Sequence, residues 1–189
     1  RAEDKGDHWL INGSKTYISN GQLADLVVVA AKTDPSRSHA VGLFLVERGT
    51  PGFERGRNLK KMGQPAQDTS ELFFHDVKIP KENVLGAPDG GFKVMMGNLA
   101  EERIVNSVGN LTMAERAFQV TLEFIKDRRA FGRPIGTFQN SRFVMADIRA
   151  RLDAAWALLD HCAKAHIKGE LSSELAASIQ EEAFDYLDG

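Results

Sequence analysis

Ala87-Pro88-Asp89-Gly90-Gly91 divides this chain into two stretches whose apolar residues follow different periods. Proline withholds a backbone donor and glycine resists ordering, so the run reads as a connection between domains. Upstream of it the apolar residues come in short runs between turn signals, which is the pattern of strands. Downstream they recur every three or four residues, which is the pattern of helices. The fold class that follows is α+β. An antiparallel β-barrel or sandwich is expected over residues 1–86, then a truncated antiparallel helical bundle over residues 91–189.

In the first stretch Trp9-Leu10-Ile11 runs into Asn12-Gly13, read as a hairpin turn, and Thr16-Tyr17-Ile18-Ser19 precedes Asn20-Gly21. Leu26-Val27-Val28-Val29-Ala30 is a buried strand closed by Asp34-Pro35-Ser36. Gly42-Leu43-Phe44-Leu45-Val46 is another, turned by Thr50-Pro51-Gly52. Leu72-Phe73-Phe74 and Val77-Lys78-Ile79 complete the set, and Pro80 ends it. In the second stretch a proline-free helix is expected from Phe92 to about Lys126, with Phe92, Met95, Met96, Leu99, Val105, Val108 and Leu111 inward. After Arg133-Pro134-Ile135-Gly136, Thr137 or Asn140 is the candidate cap of a second helix. That helix carries Val144, Ile148, Leu152, Ala155, Leu159 and Cys162 on one stripe and stops near Gly169. Ser172 or Ser173 opens a third.

The 189 residues are 42% hydrophobic and 26% charged, with a formal net charge of -2. Such a balance gives no electrostatic footprint for nucleic acid or for a polybasic membrane surface. No run is long and apolar enough for a membrane span. Cys162 is the only cysteine, so no disulfide or thiolate metal site is expected, and His161 and His166 stand five apart, off the helical metal-pair spacing. There is no G-x-G-x-x-G, Walker A or G-x-S-x-G motif, which removes the Rossmann, P-loop and α/β-hydrolase readings. The chain opens at Arg1 in polar residues without a signal peptide, so it is not expected to be secreted, and the Asn12 and Asn110 sequons are chance matches. Arg1 and Gly189 both read as cut ends.

Asn98-Leu99-Ala100-Glu101-Glu102-Arg103-Ile104-Val105 carries two adjacent carboxylates, about 100° apart around a helix. Glu102 meets Leu99 and Asn106 at helical spacing and Glu101 meets Val105, so neither gains a cationic partner one turn on. An unpaired carboxylate beside apolar neighbours is a candidate general base, and a solvated helix face is the alternative.

Several local patterns together resemble the acyl-CoA dehydrogenase family. Thr16-Tyr17-Ile18-Ser19-Asn20-Gly21 is similar to its aromatic-Ile-Thr/Ser-Asn-Gly strand. Lys61-Met62-Gly63, Gln67-Asp68-Thr69 and Glu71-Leu72-Phe73-Phe74 look like its middle-domain pattern. Arg128-Arg129-Ala130-Phe131-Gly132, with Phe138-Gln139 beyond, matches its Arg-x-x-Phe-Gly…Gln signature. The resemblance covers essentially the whole chain.

The resemblance implies FAD as cofactor and α,β-dehydrogenation of an acyl-CoA thioester. Tyr17 and Ser19 match the strand beside the flavin, and as alternate strand residues they are expected to point the same way. Arg128 matches the arginine that reaches the pyrophosphate of a neighbouring subunit's FAD, and Phe131 and Gln139 match positions lining that cofactor. Glu102, immediately before Arg103, matches the catalytic base of the long-chain and isovaleryl-type branch, and the middle-domain pattern looks most like the long-chain members. Leu99, Arg103 and Asn106 fall beside it on the substrate side. No metal is implied. The implied partners are acyl-CoA, an electron-transfer flavoprotein as electron acceptor, and further copies of the chain in a dimer or tetramer. The compartment is the cytoplasm in a bacterium or the mitochondrial matrix in a eukaryote. The family's upstream Glu-Pro…Gly-Ser-Asp strand and downstream Gly-Gly and Glu-Gly segments are not in the sequence, so the chain alone is expected to be inactive. An acyl-CoA oxidase-like flavoenzyme and a non-catalytic assembly subunit are the alternatives.

Overall fold

The structure is a computed structural model that describes the backbone of residues 1–188 and the side chains of residues 1–185. Its strands are β1 (Ala2–Asp4), β2 (His8–Ser19), β3 (Leu26–Lys32), β4 (Val41–Glu47), β5 (Phe53–Asn58) and β6 (Thr69–Pro80). α1 (Gly91–Asp127) follows, then a short hairpin of β7 (Arg129–Ala130) and β8 (Arg133–Pro134), then α2 (Gln139–Ile167) and α3 (Ser173–Asp188). Two compact units result, Arg1–Met95 and Met96 onward.

In the first unit β1, β2, β6 and β5 form one antiparallel sheet in that order, and β3 pairs with β4 in a second. Trp9, Ile11, Leu72, Phe74, Val77 and Ile79 of the first sheet share one core with Val29, Ala31, Phe44 and Val46 of the second. The two sheets pack as a sandwich, and among the described residues they do not close into a barrel. No helix of the described residues is long and apolar enough to cross a membrane.

Asn12-Gly13 is not a hairpin turn. β2 continues through it, and His75 and Asp76 of β6 together oppose Asn12. The Asn12 amide satisfies what this bulge leaves unpaired: its Nδ2 donates to Asp76 Oδ1 at 2.9 Å and its Oδ1 accepts the Asp76 N–H at 2.9 Å. The bulge also resets the pleat. Leu72 and Phe74 point inward before it, Val77 and Ile79 after it, so the two short runs of the sequence are one strand of 12 residues.

In the second unit α1 buries Ile104, Ser107, Leu111 and Phe118. Of the expected inward set, Leu111 is buried, while Val105 and Val108 are 64% and 43% exposed. α1 carries apolar residues around much of its circumference, and the partner helices select the Ile104 line. α2 contributes Leu152, Ala155, Leu159 and Cys162, and α3 contributes Ala176, Ile179 and Ala183, while Val144 stays 48% exposed. Neither proposed cap of α2 acts as one: Phe138 stands at the N-cap without a side-chain bond, and Thr137 Oγ1 donates to the Pro134 carbonyl. Ser172 does cap α3, its Oγ accepting the Leu175 N–H at 3.1 Å. Gly169, at φ +71, follows the last turn of α2.

A polar cluster ties α1 to α2. Arg149 Nη1 donates to both oxygens of Glu115, at 2.8 and 2.9 Å, its Nη2 reaches Asp153, and its guanidinium lies 5.3 Å from the centre of the Phe118 ring. Arg149, and Gln119 after it, hold the Glu115 carboxyl below its ordinary value of 4.5.

Two predictions follow from this packing. Gly49 and Gly52 share a left-handed backbone, φ +85 and +83, but a Cβ at Gly49 meets nothing within 4 Å while one at Gly52 lies 2.1 Å from the His75 carbonyl oxygen. Gly49→Ala should cost about 1–2 kcal/mol, and Gly52→Ala clearly more, in urea unfolding read by far-UV circular dichroism; equal costs would contradict the close approach. For Glu115, a folded-state pKa below the unfolded one means the contribution is present above the unfolded value and lost as pH falls through the folded one. The stability gap between wild type and Glu115→Gln, about 1 kcal/mol at pH 7 for a half-exposed pair, should therefore shrink on acidification to pH 3. A gap that is constant with pH would remove Arg149 as the cause.

Candidate active site

Residues singled out in the sequence fall in three places. The first is a second β-bulge. Across β6 from Glu71, β2 carries two residues, Thr16 and Tyr17, where the pleat allows one. β5 does the same on the other side with Gly56 and Arg57. Tyr17 absorbs the irregularity at φ 60, and its side chain is 77% exposed. A bulky residue in left-handed backbone is a genuine outlier, and an aromatic held there in the open is not explained by packing. Ser19 is exposed two residues on. The bulge interrupts the pleat between Lys15 and Ile18, so simple alternation does not relate Tyr17 to Ser19.

The second place is the tip of the β7–β8 hairpin. Arg129 pairs with Pro134 and Ala130 with Arg133, leaving Phe131 and Gly132 as the turn, at φ 52 and φ 80. Positive φ at both positions suits a twisted two-residue hairpin, where Asn-Gly is the ordinary choice. Phe131 stands there instead and is 97% exposed. Its ring lies edge-on to Phe138 at 6.3 Å, and the Arg133 guanidinium sits 4.4 Å from the centre of the Phe138 ring. Arg128 and Arg129 are exposed, and neither has an ion-pair partner among the described residues. Gln139, also exposed, is the first residue of α2. Guanidinium groups on a hairpin that leads into a helix N-terminus suit a phosphate-bearing ligand, since both the cations and the orphan N–H groups favour negative charge. The sequence shows the arginines, but nothing in its turn chemistry marks Phe131-Gly132 as a hairpin tip.

The third place is the early part of α1. Asn98, Glu101, Glu102, Val105 and Asn106 stand together on one exposed face of α1. Glu102 is exposed, and neither it nor Glu101 has an ion-pair partner among the described residues. Asn98 and Asn106 lie one turn to either side of Glu102, so a carboxylate stands between two amides. Asn98 was not singled out in the sequence. Leu99 and Arg103 are half-buried and lie off that face. Arg103 Nη1 donates to the Ser173 carbonyl at 3.2 Å, fastening α1 to the start of α3. Among the described residues there is no cluster of His, Cys, Asp and Glu that could hold a metal ion. Cys162 is buried, and burial pushes its thiol up from its ordinary value.

Comparison with known proteins accounts for both units. The profile of the acyl-CoA dehydrogenase middle domain matches residues 1–77, and that of the acyl-CoA dehydrogenase C-terminal domain matches residues 89–180. The chain is 38% identical to the mitochondrial long-chain specific acyl-CoA dehydrogenase of Mus musculus over 179 residues, which is 93% of this chain and 42% of that protein. Its fold matches butyryl-CoA dehydrogenase from Megasphaera elsdenii with a TM-score of 0.90 at 38% identity, covering 98% of this chain and 49% of that one. It matches the FAD complex of PigA with a TM-score of 0.93 at 28% identity, again over 98% of this chain and 49% of that one. The chain thus spans less than half the length of each of these proteins. On two domain profiles in order, on sequence identity and on fold, it belongs to the acyl-CoA dehydrogenase family.

Proposed function

We propose that the protein catalyses FAD-dependent α,β-dehydrogenation of an acyl-CoA thioester, of the kind that opens fatty acid β-oxidation, with Glu102 as the base. The observation that carries this is the unpaired Glu102 carboxylate on the open face of α1, at the position that the family resemblance implies for the base. The thioester carbonyl acidifies the α-carbon, and Glu102 takes the α-proton on a carboxylate oxygen that no cation competes for. Asn106 and Leu99 are assigned to the substrate, and a fatty acyl group is the assigned acyl class. Arg103 is assigned to the substrate side through the helix end that it fastens, since a guanidinium is always protonated and takes no part in proton transfer.

A bound flavin supplies the acceptor for the β-hydride. The residues present fit such a group. Tyr17 and Phe131 offer exposed aromatic faces to a flat heteroaromatic ring system, held out by backbone conformations that packing alone would not select. Ser19 offers a hydroxyl donor, Gln139 an amide, and Arg128 a delocalised cation for paired phosphates. Residues 1–86 and 91–189 thus take the roles of middle domain and partial helical domain. Arg128, Phe131 and Gln139 serve the cofactor of a second copy, which makes the working protein a dimer or tetramer, and an electron-transfer flavoprotein is the assigned electron acceptor.

In the intact protein, Glu102→Gln should keep flavin and ligand binding but slow anaerobic bleaching of the flavin by acyl-CoA by about 10²–10⁴-fold, the usual cost of losing a general base. Near-normal bleaching would move the base elsewhere. Arg128→Ala should weaken FAD retention, and retention in the wild type should fall on dilution into single chains. Flavin that stays at one per chain in the mutant at every protein concentration would take Arg128 out of the site.

A further inference from the structure

Asp68 is a carboxylate buried in the β unit without a cation beside it. It is 8% exposed, although the preceding residues Gln64 to Gln67 are all exposed. Its Oδ2 accepts the backbone N–H of Gln22 at 2.7 Å, and its own carbonyl accepts the N–H of Asn20 at 3.2 Å. Its Oδ1 is enclosed without a hydrogen-bond partner. The Gln22 side chain carries the link onward, donating to the Gly56 carbonyl at 2.8 Å and to Ser70 Oγ at 2.9 Å. From β5, Arg55 Nε donates to the Gly21 carbonyl at 2.8 Å and Nη2 to the Ala24 carbonyl at 2.6 Å.

What these bonds hold is the segment that leaves Tyr17-Ile18-Ser19. Tyr17 and Asn20 both stand at φ 60, one on each side of Ile18-Ser19. Left-handed non-glycine backbone persists only where the surroundings over-determine it. We propose that Asp68 is a positioning residue for the flavin site: its carboxyl group, acting through the Gln22 amide next to the Asn20–Asp68 backbone bond, fixes the bulge that presents Tyr17 and Ser19. The assignment rests on the FAD reading above.

The test, made in the intact protein, compares Asp68→Ala with Asp68→Asn, which keeps an oxygen acceptor for Gln22. In cofactor-free protein, amide hydrogen exchange at Gln22 should rise about tenfold in Asp68→Ala, as for one lost hydrogen bond, and stay near wild type in Asp68→Asn. With FAD added, Asp68→Ala should shift the visible flavin spectrum and midpoint potential and retain FAD less well, while Asp68→Asn restores all three. Faster exchange in Asp68→Ala with an unchanged spectrum and potential would reduce Asp68 to a turn cap and overturn the assignment. Unchanged exchange would overturn it at the clamp itself. A wild-type protein that takes up no FAD would instead remove the flavin reading, and the exchange arm separates that failure from the other two.

Discussion

The β unit depends on how β6 is paired. As the strand hydrogen-bonded to both β2 and β5, it sets the register of each, and its partners break step with it at defined points. At Asp76 the extra residue is on β6, and the Asn12 amide closes the gap. At Glu71 the extra residues are on the neighbours, one on each side. Between these points the inward set Leu72 and Phe74 stays in phase with the core, so the irregularity is pushed onto Tyr17 and its surroundings. The core can be continuous because the bulges take up the mismatch. The exposed aromatic of β2 is a consequence of the same registration.

The helical unit solves a different problem. α1 is 37 residues long and can bury only part of its circumference. The Ile104, Leu111 and Phe118 line faces α2 and α3, and the Glu115–Arg149 cluster and the Arg103–Ser173 bond fix its rotation. With that face committed, Glu102, Val105 and Asn106 remain on the open side. The unpaired carboxylate is therefore set by the packing of residues that never touch it. Two departures from local preference fall where chemistry is proposed: Tyr17 and Phe131 occupy backbone that suits glycine or asparagine and bury little of themselves in return.

Much of this was legible in the sequence, and the failures have physical causes. The change of hydrophobic period after Gly91 separates strand from helix because period is a property of the segment itself. Asn12-Gly13 misleads because a dipeptide reports what the backbone can do locally, while a bulge is decided by the strand opposite. Val105 and Val108 mislead because α1 is apolar on more than one face, and only the partner helices choose between them. Thr137 bonds its own preceding turn and so is not available to α2. Glu101 and Glu102 both lack a cation one turn away, and only the family resemblance chooses Glu102 between them. Tyr17, Arg128, Phe131 and Gln139 came from family resemblance; no local rule would place a phenylalanine at the tip of a two-residue hairpin.

The unbroken course of α1 acts as a ruler. Glu102 lies on α1 and Arg128 directly follows its last residue, Asp127; they are 26 positions apart, which at 1.5 Å per residue is about 39 Å. A spacing of that length sets the carboxylate and the arginine of one chain far apart along a rigid element. On the proposed reading each chain then gives its carboxylate to one reaction centre and its hairpin to another. On that reading helix length sets the stoichiometry: a lone chain would hold parts of two different sites, and each site would be completed only when the assembly closes on itself.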